Sequence, residues 1–175
     1  VRSRDDGQTW SAAPELIYAH PLGGSQDPCL VQLRDGTLVC TSYGWTLLNA
    51  DYAARMTNAA LHGNFGFLGG YVLRSKDAGH SWQGPWLPPH ISSDPVTDIF
   101  GQPVPAYNRG APCEGRDGRL YSVVAASAEP KPWRSETHLL ISSDQGESWK
   151  YACPVATRQQ EARIRQLQEL LNNAK

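Results

Sequence analysis

Three aspartates stand in one short pattern, and their spacing invites comparison with a metal site. Ser3-Arg4-Asp5-Asp6-Gly7-Gln8-Thr9-Trp10 recurs as Ser75-Lys76-Asp77-Ala78-Gly79-His80-Ser81-Trp82 and as Ser142-Ser143-Asp144-Gln145-Gly146-Glu147-Ser148-Trp149, so the shared pattern is S-x-D-x-G-x-[ST]-W. An EF-hand calcium loop spaces its oxygen ligands as D-x-[DN]-x-[DN]-G, and the octapeptides lack those further ligands. The pattern suits a tight β-hairpin instead. Asp and Ser bond their own turn backbone, Gly supplies positive φ, and the closing indole offers apolar surface to a neighbouring sheet. The aspartates are therefore expected to staple the fold. No Ser-His-Asp order, Walker loop, H-E-x-x-H or C-x-x-C zinc pattern occurs elsewhere. Glu114 falls on a strand where burial demands a partner, and Arg109 or Arg116 could supply it.

The elements that carry these residues repeat as well. Residues 27–40 and 111–124 each read as two short apolar strands around a D-G turn, Asp35-Gly36 and Asp117-Gly118. Each pair is followed by a third strand, residues 70–74 and 138–141, that runs into an octapeptide and then a fourth strand. That order is a four-stranded propeller blade. Residues 12–18 read as the outer strand of a preceding blade whose inner strands are missing. The interval from D-G turn to octapeptide is much longer in the first complete blade. Its insertion, within residues 44–69, carries Trp45, Asn49, Asp51, Tyr52, Arg55, His62 and Phe65, with a short helix expected inside 47–61. Such a loop is expected to be a lid or to contact a ligand. The proline-rich connection over 85–105 keeps the outer strand short and its edge closed to pairing.

The octapeptide resembles the Asp box, or BNR repeat, of the sialidase superfamily, and the resemblance covers residues 1–155. It implies an all-β fold: about two and a half four-stranded blades of a six-bladed sialidase-like β-propeller, each box joining the third and fourth strands. It implies a glycoside hydrolase, or a fragment of one, acting on terminal sugars of glycans. The alternatives are a non-catalytic propeller for glycan or protein binding, or a partial propeller that assembles by oligomerisation. A carbohydrate ligand, no cofactor or metal, and a secreted or periplasmic location go with the resemblance. Sialidases of this kind hold the substrate carboxylate with an arginine triad and use a Tyr nucleophile paired with a Glu, and an Asp acid/base. Asp51 stands at the acid/base place, beyond the D-G hairpin and Tyr43; its other reading is a cap for the helix beginning at Tyr52. Asp27-Pro28-Cys29 stands where the family carries R-I-P, with a carboxylate in place of the first arginine. Tyr107 and Arg109 precede the innermost strand of the second complete blade, where Arg109 is placed for a bidentate contact to a carboxylate. An ion pair with a nearby acid is the alternative for Arg109. Arg55, on the insertion, completes the candidates for substrate binding.

Bulk properties narrow the partners. The 175 residues carry a net charge of −1, which gives no basic field for nucleic acid. No apolar run reaches the ~18 residues of a membrane span, and no secretory leader is recognisable. The chain opens at Val1 almost inside a box, which suggests a fragment, a processed chain or an engineered one. Cys29, Cys40, Cys113 and Cys153 form no disulfide framework. With residue 34 opposite 37, Cys29 would face Ser42 and Cys40 would face Val31, as buried thiols on one face. From 157 onward Gly and Pro are absent, and Gln160, Ile164, Leu167 and Leu171 recur at three and four, predicting a C-terminal amphipathic helix over 156–175. Blades that do not close a ring leave apolar faces bare, so a homo-oligomer or a missing propeller half is expected to cover them.

Overall fold

The computed structural model of the chain describes residues 1–56, 59–129 and 134–156, and the predicted C-terminal helix lies outside the described residues. One antiparallel sheet contains β1 (Gly24–Gln32), β2 (Leu38–Leu47), β4 (Phe65–Ser75) and β5 (Gln83–Trp86). The short β3 (Leu61–His62) shares β4 as its partner, and α1 (Ala50–Arg55) lies between β2 and β3. A second antiparallel sheet orders β6 (Cys113–Glu114), β7 (Leu120–Glu129), β8 (Arg134–Ser142) and β9 (Lys150–Ala156). Each sheet is a blade in the expected order, and no closed ring forms among the described residues. Residues 12–18, expected as a strand, carry none; an extended segment without a neighbour to ladder with is not a strand.

Both D-G turns close three-residue loops. Gly36 N–H donates to Leu33 O at 2.9 Å and Leu33 N–H to Thr37 O at 2.8 Å, and Gly36 takes φ 89°. The same bonds join Gly118 to Gly115 and Gly115 to Arg119. This left-handed residue moves the register by one from the two-residue loop expected of a D-G turn. Cys29 therefore pairs with Thr41, and Cys40 with Leu30. Both thiols are free, and burial pushes Cys40 up to about 11.

The central strands β2 and β4 are buried on both faces. Val39 and Val72 turn toward the second sheet and pack with Leu120, Val124, Leu140 and Trp149. On the opposite face Cys40, Tyr71 and Leu73 pack against Tyr18 and Trp82. Arg74, whose side chain is 5% exposed, crosses between the blades. It donates to Asp144 O at 3.2 Å and to Gln83 Oε1, pairs with Glu147, and lies 4.9 Å from the Trp86 ring centroid. Arg2 stands in the same position before the first box and reaches the second, donating to the carbonyls of Ala78 and Gly79. Each of these arginines precedes one box and clamps the next. A further link differs from expectation. Glu114 accepts from Arg34 N–H at 2.8 Å, so its partner comes from the preceding blade and not from Arg109 or Arg116.

The boxes repeat one hydrogen-bond set. In the third, Ser142 Oγ donates to Asp144 Oδ1 at 2.7 Å, Ser148 N–H donates to the same oxygen at 2.9 Å, and Trp149 Nε1–H donates to Gly146 O at 3.2 Å. The residues before the box glycines, Asp6, Ala78 and Gln145, all have positive φ, as do the glycines themselves, which is what the two central residues of a type I′ turn require. Asp144→Ala is expected to destabilise by about 1–2 kcal/mol, mainly by orphaning the buried Ser142 hydroxyl, since the exposed Ser148 donors rehydrate, measured by urea denaturation. The Thr9 hydroxyl and amide hold Asp5 down at about 2, and the Ser81 hydroxyl lowers Asp77 likewise. A carboxylate depressed on folding stabilises above its ordinary value of 3.8, and this support fades as pH falls toward 2. Acid unfolding should therefore shift to higher pH when a box aspartate is removed.

Candidate functional site

β2 runs from the box end, where Leu38 pairs with Ser75, to the far end, where Leu47 pairs with Phe65. At that far end a cleft of about 800 Å³ opens between the start of β1, the end of β2, the β3–β4 hairpin and the segment carrying Tyr107 and Arg109. Ser25, Gln26, Trp45, His62 and Phe65 also line it. This size suits a small-molecule ligand, and the mixture of aromatic wall and a few polar groups is that of a binding cleft.

An aromatic cluster holds the floor in place. Tyr43 alternates with Trp45 on β2, and Phe67 on β4 pairs across from Trp45. Ring centroids lie 5.1 Å apart for Tyr43–Tyr107, 4.7 Å for Phe67–Tyr107 and 4.8 Å for Trp45–Phe67. Ala60, Val96 and Val104 complete this core. Its stitching joins two irregular segments: Ala60 N–H donates to Thr97 O at 3.0 Å and Phe67 N–H to Ala60 O at 2.8 Å. The Trp45 Nε1–H is buried with no acceptor among the described residues.

Charge is concentrated at the edge of the cleft. Tyr43 is fully buried and donates its hydroxyl to Asp27 Oδ2 at 2.6 Å. Burial, and then this bond to a carboxylate, push Tyr43 up to about 12, so it acts as a donor that orients Asp27. Arg109 Nε lies 3.7 Å from the same oxygen, and its guanidinium lies 5.9 Å from the Tyr43 ring centroid. Asp27 sits in a β-bulge between Gln26 and Cys29 with φ 48°, a conformation that Asp tolerates better than most residues. Behind Arg109, Asn108 Nδ2 donates to Ser122 Oγ at 3.1 Å and Ala125 N–H donates to Tyr107 O at 2.7 Å, tying the segment to β7.

No family model matches the chain, and no curated protein matches it. A crystal structure of a protein of unknown function from Dyadobacter fermentans DSM 18053 is 54% identical over 87% of this chain, with a TM-score of 0.81. The Hadza microbial sialidase Hz136 is 20% identical over 88% of the chain, with a TM-score of 0.56. The fold is sialidase-like. The chain spans 42% of the length of the first of these structures and 30% of the second, and no helix among the described residues is long and apolar enough to cross a membrane.

Within these sialidase-like blades the residues singled out from sequence separate into two groups. Asp27, Tyr107 and Arg109 converge beside the cleft. Asp51 and Arg55 stand in the first and last turns of α1, both exposed, and neither lines the cleft. The cap of α1 is Asn49, whose side chain accepts from Asp51 N–H at 2.8 Å, so the alternative reading of Asp51 as the cap passes to Asn49. Trp45, Thr46, Leu47, Leu61, His62 and Phe65 are the part of the insertion that reaches the cleft. Tyr43 and Phe67 were missed as site residues, and Trp45 was read only as part of the ligand-contacting insertion, although Tyr43/Trp45 and Phe65/Phe67 alternate with the strand period at the ends of β2 and β4.

Proposed function

We propose that this chain supplies a sugar-binding portion of a sialidase-like propeller, with the cleft at the end opposite the boxes as the binding site. The observation that carries the reading is the juxtaposition of an aromatic wall, Trp45 and Phe65, with Arg109 in one cleft, and with its partner Asp27 beside it. The aromatic faces suit the apolar face of a pyranose ring, and the charged pair offers donors and an acceptor to its hydroxyls. The likeness in fold to the Hadza protein, a sialidase, supports carbohydrate as the ligand class. Trp45→Ala should weaken glycoside binding about tenfold or more, the loss of one aromatic anchor, measured by isothermal titration against a panel of methyl glycosides. Unchanged affinity would remove the cleft from the reading.

Hydrolysis is the second reading, favoured by the Asp27 carboxylate held beside the cleft. Tyr43 is too deeply enclosed, and too firmly protonated, to serve as a nucleophile in this arrangement. Turnover of aryl glycosides by the chain, lost in Asp51→Asn or Asp27→Asn with folding retained, would favour the hydrolase over a non-catalytic binder. The exposed Val123, Tyr151 and Val155 of the second blade offer surface for further blades or for a second copy.

A further inference from the structure

The charge of the cleft is already balanced within the protein. Among the described residues that line it, Arg109 is the one permanent cation, and Asp27 Oδ2 lies 3.7 Å from its Nε. Asp27 is not free to turn aside, because the same oxygen accepts the hydroxyl of the fully buried Tyr43 at 2.6 Å. A ligand carboxylate approaching Arg109 would therefore meet a fixed carboxylate at the same place. Both side chains retain access to solvent, Asp27 at 44% and Arg109 at 68% exposure, so both can still hydrogen-bond a ligand.

We infer that the cleft selects neutral sugars over carboxylate-bearing ones, and that Asp27 is the residue that sets this choice. The inference rests on the sugar-binding reading above. Adjacent hydroxyls of a neutral pyranose both donate and accept, so one can donate to Asp27 while another accepts from Arg109. The ring itself lies against Trp45 and Phe65. An acidic sugar would gain attraction to Arg109, lose as much to Asp27, and in addition forfeit the hydroxyl that donates to Asp27, because a carboxylate only accepts. At about 4 Å in a water-exposed site each such charge pair changes affinity about fivefold.

The test uses matched pairs that differ only at C6: methyl glucoside against methyl glucuronide, and methyl galactoside against methyl galacturonide, with a methyl sialoside alongside. Titration of the full chain should give tighter binding to the neutral member of a pair by about fivefold or more, the loss of one hydroxyl's hydrogen bond to the charged Asp27. Asp27→Asn removes the charge while keeping a residue that tolerates positive φ, and should erase or reverse that preference by freeing Arg109. Arg109→Gln should weaken neutral sugars without favouring acids. A parent that binds the uronide or sialoside more tightly overturns the inference while leaving sugar binding intact. A folded Asp27→Asn variant that keeps the parent's ratio overturns it as well. If the parent binds none of these sugars, the sugar-binding reading itself fails, and the inference with it. The parent's ratio alone suffices to overturn the inference, so it does not depend on the variants folding.

Discussion

Gly70→Ala is expected to destabilise the chain by about 3 kcal/mol, at the upper end of ordinary overpacking, and to weaken sugar binding in the molecules that remain folded. A Cβ on Gly70 would stand 2.2 Å from Ala106 O and 2.9 Å from Tyr107 Cα. Both are backbone atoms, so no side-chain rotation relieves the clash. Either β4 or the segment leading to Arg109 must move, and Gly70 N–H also donates to Pro105 O at 3.2 Å across that contact. The clash thus links stability to the site. Gly110→Ala is the control, because its added Cβ meets nothing within 4 Å and its φ is not positive. Urea denaturation and glycoside titration of both variants measure the two effects. A Gly70→Ala protein as stable as Gly110→Ala would show that the blades do not approach this closely.

Arg74→Ala should cost about 3 kcal/mol, because it leaves a carbonyl and a carboxylate without their buried cation. The guanidinium bonds Asp144 O, Gln83 and Glu147, and covers Trp86. Glu147 is itself 45% exposed and rehydrates when its partner goes, which holds the cost below that of breaking a fully buried pair. Arg119→Ala is the matched comparison. Its pair with Asp117 lies at the surface, 51% and 41% exposed, and exposed pairs contribute about 0–1 kcal/mol. Thermal melts of the two variants should separate widely. Equal melts would mean that Arg74 does not join the blades.

The blades were legible because their signals are local and repeated. Asp5, Asp77 and Asp144 make the same bonds in each box, and each D-G turn closes the inner hairpin of its sheet. The register was off by one because Asp-Gly permits two loop lengths, and sequence alone does not choose between them. The blade-to-blade clamps had a signal that extending the box by one residue reveals: Arg2 and Arg74 each precede the box serine, while Ile141 takes that place in the third copy. The cleft was legible only in part. Arg109 and Asp27 followed from their places at the starts of inner strands. The floor depends on Ala60 meeting Thr97 and on Val96 and Val104 packing with Phe67, contacts between two irregular segments with no periodicity to announce them. Nor does local sequence foretell the bulge that gives Asp27 its positive φ.

The proposed sugar site is tested most directly by the indole 15N–1H resonances of the six tryptophans during titration with a neutral methyl glycoside. Trp45 lines the cleft, while Trp10, Trp82 and Trp149 close the boxes at the other end. The expected result is a saturable shift of the Trp45 signal, identified by its loss in Trp45→Ala, with the three box tryptophans unmoved. Shifts confined to Trp10, Trp82 or Trp149, with Trp45 silent at saturation, would contradict a sugar site in this cleft.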